Sequence, residues 1–124
     1  MMKKTPERYV MRRNRHRQTV MLWQGQQIKV DAGIEPILTL VNEFEDIATV
    51  SSSIGNDKDD ITNMGYVTFT GTNRAVVKAL VERLAVAVAA EGEPLQIEFD
   101  AKWNQGCIRW KSRDLNTACR VVGS

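Results

Sequence analysis

The fold is decided by Tyr66-Val67-Thr68-Phe69-Thr70-Gly71-Thr72-Asn73, followed at once by Arg74-Ala75-Val76-Val77-Lys78-Ala79-Leu80. The first five residues alternate, with Val67 and Phe69 on one face and Tyr66 and Thr68 on the other, as a half-buried strand requires. Gly71 closes that strand, and Thr72 or Asn73 supplies a side-chain cap. From there the period changes from two to 3.6. Val76, Val77, Leu80, Leu84, Ala87 and Val88 form a continuous apolar stripe, with Arg74, Lys78 and Glu82 on the wet side. This predicts a helix over 73–90, stopped by Gly92 and Pro94.

Strand signals follow on the C-terminal side. Leu95, Ile97, Phe99 and Ala101 alternate with Gln96, Glu98, Asp100 and Lys102, and Asn104-Gln105-Gly106 turns the chain back. In the returning strand Cys107–Ser112, Ile108 and Trp110 alternate with Arg109 and Lys111, and a short helix begins at Asp114. On the N-terminal side, Gln18–Trp23 and Gln27–Val30 flank a hairpin turn at Gln24-Gly25-Gln26. Asp31 offers a cap or turn side chain, and Pro36 suits a first helical turn. Ile34, Ile37, Leu38, Val41 and Phe44 share one face of a helix over 35–45. Ile47–Ile54 reads as a strand, with Ala48 and Val50 facing one way and Thr49 and Ser51 the other. Gly55–Gly65 reads as a polar loop.

The order β-β-α-β-β-α-β-β predicts an α+β fold. The expected packing is a two-layer sandwich of a mainly antiparallel sheet with two helices on one face, containing a ferredoxin-like core. The uncovered face is expected to carry Lys29, Thr49, Ser51, Tyr66, Thr68, Glu98, Asp100, Lys102, Arg109 and Lys111. Such a polar face meets solvent, a ligand or another subunit.

Composition narrows the function classes. The chain has 124 residues, 43% hydrophobic and 26% charged, the signature of one globular domain. No apolar run approaches the roughly 20 residues of a membrane span, and no leader-like apolar region follows the start. Two cysteines, Cys107 and Cys119, and a single histidine, His16, argue against a zinc site, a disulfide framework or a histidine-dependent nucleophile. Asp57, Asp59 and Asp60 lack the ligand series of a calcium loop. The reading is therefore non-enzymatic, with no cofactor and no metal.

Charge is unevenly distributed. Residues 1–17 carry seven basic residues against Glu7, a net of +6, whereas the remainder is net −4. A basic arm over 1–17 thus precedes a single domain over 18–124. Arg12, Arg13, Arg15 and Arg17 offer phosphate neutralisation to a nucleic acid or nucleotide, or contacts to an acidic neighbouring subunit. The second binding constellation is the C-terminal hairpin, with Lys102, Trp103 and Asn104 at its turn and Arg109, Lys111 and Arg113 on its return. Guanidinium forks match phosphate oxygens, and an aromatic face stacks on a base. Tyr66 adds a second aromatic on the open sheet face.

Set beside the RNA-recognition pattern K/R-G-F/Y-G/A-F-V-x-F/Y, the segment Thr62–Phe69 aligns Gly65, Tyr66, Val67 and Phe69. The element order from about Gln27 to Lys102 also resembles that family, which implies RNA binding on the sheet face. In this alignment Met64 and Lys29 stand where further stacking aromatics belong. A second arrangement, Thr49-Val50-Ser51-Ser52-Ser53-Ile54-Gly55 and then Gly65-Tyr66-Val67-Thr68-Phe69, resembles a T-x-x-S-C-x-G…Y-V-x-F pattern, with Ser53 at the cysteine position. That pattern belongs to small phage and prophage proteins and, more distantly, to the tRNA wybutosine-synthesis methyltransferase component. The resemblance spans roughly residues 28–112. Size, element order and the arginine-aromatic hairpin further resemble the Thoeris anti-defence sponges of phages. That resemblance implies a homo-oligomer in the bacterial cytoplasm that sequesters a cyclic ADP-ribose isomer without cleaving it. Arg109, Arg113, Trp103, Tyr66, Asn104, Lys111, Arg12 and Arg13 are the expected ligand residues. The alternatives are an RNA or DNA binder using the arm and sheet face, and a small enzyme acting on a nucleotide or RNA.

Overall fold

The computed structural model describes residues 17–23, 25–55, 64–91, 95–111 and 114–123. The elements are β1 (Gln18–Trp23), β2 (Gln26–Asp31), α1 (Glu35–Asn42), β3 (Ile47–Ser53), β4 (Gly65–Gly71), α2 (Arg74–Glu91), β5 (Leu95–Asp100), β6 (Gln105–Trp110) and α3 (Leu115–Gly123). The chain is an α+β protein with two antiparallel sheets among the described residues: the β1-β2 hairpin, and a four-stranded sheet ordered β3-β4-β6-β5.

Local chemistry accounts for the helices. In α1, Pro36 lies in the first turn, where its missing N–H is not needed, and Ile37, Leu38 and Val41 are buried. The helix ends at Asn42 rather than 45, with Glu43 as its C-cap, and Asp46 then turns the chain with φ 66°. The Asn42 side chain then bridges to the next strand: its Oδ1 accepts the Thr49 N–H at 2.9 Å, and its Nδ2 donates to Thr49 Oγ1 at 3.2 Å. Helix α2 is capped by Asn73, whose Oδ1 accepts the Val76 N–H at 3.0 Å, and it buries Val77, Leu80, Leu84 and Val88. Helix α3 buries Ala118, Val121 and Val122 and packs against α1, α2 and β6.

The strand pairing departs from a ferredoxin-like core. That arrangement seats β2 beside β4, whereas here β2 pairs along its whole length with β1, and β6 lies beside β4. The connection β4-α2-β5 leaves one strand position open, and β6 returns to fill it antiparallel to both neighbours. Side-chain fit explains the choice. Gly65 pairs with Trp110 and Gly106 with Phe69, so each aromatic lies over a glycine of the facing strand, with Val67 opposite Ile108 between them. A Cβ at Gly65 would collide with the Trp110 indole, and one at Gly106 with the Phe69 ring. Trp110 and Phe69 are the largest fully buried side chains, so these two matches occupy the middle of the core.

A register shift between Thr49 and Ser51 changes the reading of β3. Thr49 lies opposite Phe69 and bonds Asn42 of α1, so it belongs to the helix side and not to the open face expected for it. Past the shift, Ser51 lies opposite Thr68 on the open face, and their hydroxyl oxygens are 2.6 Å apart. Asp31 closes the turn before α1 through its carbonyl, which accepts the Ile34 N–H at 3.2 Å. Its carboxylate accepts the Ile54 N–H at 3.0 Å and the Gln18 side-chain amide at 3.4 Å, tying the hairpin to the end of β3.

Candidate functional site

On the face of the four-stranded sheet turned away from Phe69 and Trp110, side chains fall into rows set by strand register. One row is Ser53, Tyr66, Arg109 and Gln96; the next is Ser51, Thr68, Cys107 and Glu98; a third contains Thr70, Gln105 and Asp100. The β5 side of this face holds a concavity of about 560 Å³, whose polar lining is Thr68, Glu98, Asp100, Gln105, Cys107 and Arg109.

Arg109 is the junction of the site. Its Nε is 3.5 Å from Glu98 Oε1, and its guanidinium carbon stands 5.5 Å from the centre of the Tyr66 ring. A guanidinium over an aromatic face is attracted by the ring quadrupole and remains a donor to acceptors along its edge. Arg109 and Tyr66 are therefore adjacent, as β4-β6 pairing dictates. Trp103 and Asn104 lie elsewhere, in the β5-β6 turn. Gln105, next to that turn, is four residues along β6 from Arg109, about 14 Å at the rise of a strand.

The turn has its own chemistry. Asp100 Oδ1 accepts the N–H groups of Lys102 at 3.0 Å and Trp103 at 3.3 Å, a local turn that side-chain carboxylates favour. Asn104 has φ 53°, a left-handed conformation that asparagine tolerates better than most residues. Its carbonyl accepts the Thr70 hydroxyl at 2.8 Å, which anchors the turn to β4. Trp103 is 63% exposed, with the Lys102 ammonium 5.4 Å from its ring centre. Lys111 follows β6, half-buried, and its carbonyl accepts the Asp114 N–H. Arg17 is exposed at the start of β1. Arg12, Arg13, Arg15, His16, Arg113, Thr62 and Asn63 lie outside the described residues, as do Gly92, Pro94, Gln24 and the loop aspartates Asp57, Asp59 and Asp60.

Cys107, in the middle row, is buried, and neither it nor Cys119 forms a disulfide. Burial pushes the Cys107 thiol above its ordinary value of 9.0; nearby Arg109 pulls it down, and Glu98 pushes it further up. Burial alone raises Cys119. Both thiols are thus neutral near pH 7. Among the described residues, no three His, Cys, Asp or Glu side chains gather in a metal-binding group, and no helix is long and apolar enough to cross a membrane.

Two residues of the polar lining, Gln105 and Cys107, are not among the expected open-face or ligand residues. Parity along 105-107-109 was the available signal, since Arg109 had already been assigned to the open face. Compared with protein-family models, curated proteins and solved structures, the chain matches none. Fold and site together define an α+β domain with a polar, partly concave sheet face centred on an arginine, a tyrosine and a glutamate.

Proposed function

We propose that this protein is a non-catalytic nucleotide binder that sequesters a cyclic nucleotide immune signal, a cyclic ADP-ribose isomer in the first instance. In this it would act as the phage anti-defence sponges it resembles do. The observation that carries the reading is Arg109, which lines the 560 Å³ concavity and whose guanidinium carbon stands 5.5 Å from the centre of the Tyr66 ring. In this reading Arg109 donates to phosphate oxygens, Tyr66 stacks on the base, and Trp103 covers the far end of the ligand beside Asn104. Lys111, Arg113, Arg12 and Arg13 contribute positive charge from the ends of the hairpin and from the arm. The protein works as a homo-oligomer in the cytoplasm of a bacterial host.

The test is native mass spectrometry with cyclic ADP-ribose isomers, followed by release of the ligand on denaturation. The expected result is a discrete oligomer that retains the nucleotide and releases it unchanged. Charge-assisted hydrogen bonds contribute roughly 1.5 to 3 kcal/mol, so Arg109→Ala should weaken binding about tenfold or more. Undiminished affinity in that variant would remove Arg109 from the site. The second reading, a nucleic-acid binder, is favoured by the seven cations among residues 1–17. It predicts binding that falls steeply with salt and a slope that shrinks when residues 1–17 are deleted.

A further inference from the structure

We infer that Glu98 is the sugar-recognising group of the concavity, and that the nucleotide presents a free ribose hydroxyl to β5 rather than a second phosphate. The inference rests on the nucleotide reading above. Among the described lining residues the charged groups are Arg109 on one side and Glu98 and Asp100 on the other. A carboxylate only accepts hydrogen bonds, as a phosphate oxygen does, so a phosphate placed against Glu98 meets like charge and gains no bond. A hydroxyl placed there donates.

The two carboxylates are not equivalent. Asp100 uses Oδ1 to hold the β5-β6 turn through two backbone N–H groups. Glu98 faces Arg109 Nε through Oε1 and is 58% exposed, and an ionised carboxylate has about four acceptor positions. Glu98 therefore retains acceptor capacity at the solvent side of the concavity, beside the guanidinium that takes the phosphate. A ribose 5′-phosphate matches this juxtaposition, with its anionic oxygens at Arg109 and its hydroxyls at Glu98. Nucleotide-binding folds of other architecture use the same pairing of an acidic residue with a ribose hydroxyl.

The experiment compares AMP, 2′-deoxy-AMP and 3′-deoxy-AMP by calorimetry on the full-length wild-type chain and on Glu98→Gln. Circular dichroism checks that the variant is folded. The wild type should bind AMP about tenfold more tightly than at least one deoxy analogue, the scale of a hydrogen bond to a charged group. In Glu98→Gln that ratio should fall toward one. The deoxy analogues should bind the variant at least as well as the wild type, because Arg109 loses its competing carboxylate. A wild type that binds AMP and both deoxy analogues equally, or a ratio unchanged in Glu98→Gln, overturns the sugar assignment and leaves nucleotide binding standing. A wild type that binds neither AMP nor the cyclic ADP-ribose isomers removes the nucleotide reading itself.

Discussion

Replacing Gly106 with alanine puts a methyl group inside the space held by the Phe69 ring. Gly106 lies between Phe69 of β4 and Phe99 of β5, and the added Cβ would also approach Val81 Cγ2 to 2.8 Å. Phe69 is fully buried, so its ring has no solvent-filled space to enter, and either the ring turns off its rotamer or β6 shifts. Overpacking of this kind costs about 1 to 3 kcal/mol. Two walls take up the methyl here, which puts the expected loss in the upper half of that range. The unfolding entropy of a 124-residue chain is about 0.26 kcal/mol per kelvin, so a loss of about 2 kcal/mol lowers Tm by about 8 °C. Urea unfolding gives the free energy, and a cycle with Phe69→Leu locates its source. The double variant should be more stable than the sum of the single losses predicts, because the smaller side chain makes room for the methyl. Gly106→Ala within about 0.5 kcal/mol of wild type, or strict additivity with Phe69→Leu, would refute the argument that the glycine-aromatic match selects β6 as the neighbour of β4.

Three further outcomes concern the β5-β6 turn and the open face. Asn104→Ala should cost about 1 kcal/mol, since alanine resists the left-handed backbone, whereas Asn104→Gly should unfold close to the wild-type urea midpoint. Equal losses in both variants would show that the side chain, not the backbone, matters there. The Cys107 thiol, raised by burial, should react slowly with iodoacetamide at neutral pH in the folded chain and quickly in urea. Stability linked to the neutral thiol is fully present below pH 9.0 and is lost as pH rises through the higher folded-state value. Urea midpoints measured across the alkaline range should therefore decline less in Cys107→Ala than in wild type. An identical decline in the two proteins would contradict the assignment.

What could be read along the chain was whatever depends on neighbours in sequence. The period change at Gly71, the stripe from Val76 to Val88 and the alternation from Leu95 to Asp100 each report one element. The structure keeps all three, with α2 running from Arg74 to Glu91. The pairing of Arg109 with Tyr66 on one face was half legible in the same way, because parity assigns each to the open side of its strand. That they are adjacent needs β4 and β6 to be partners, and no local signal says so.

The sequence by itself determined the α+β class, the element order, the core faces of the helices and central strands, and the uneven charge, net +6 over residues 1–17 and −4 over the rest. Tertiary structure alone decided which strands pair, that Thr49 turns to the helix side while Ser51 does not, and that the Asp31 carboxylate holds the Ile54 N–H. It also brought Glu98 within 3.5 Å of Arg109, which makes the site as much an acceptor as a donor. The reason is physical. Side-chain periodicity is written residue by residue, whereas strand order is selected by fit between segments about forty residues apart, such as Phe69 over Gly106. One irregular residue in a strand then exchanges the faces of every residue after it.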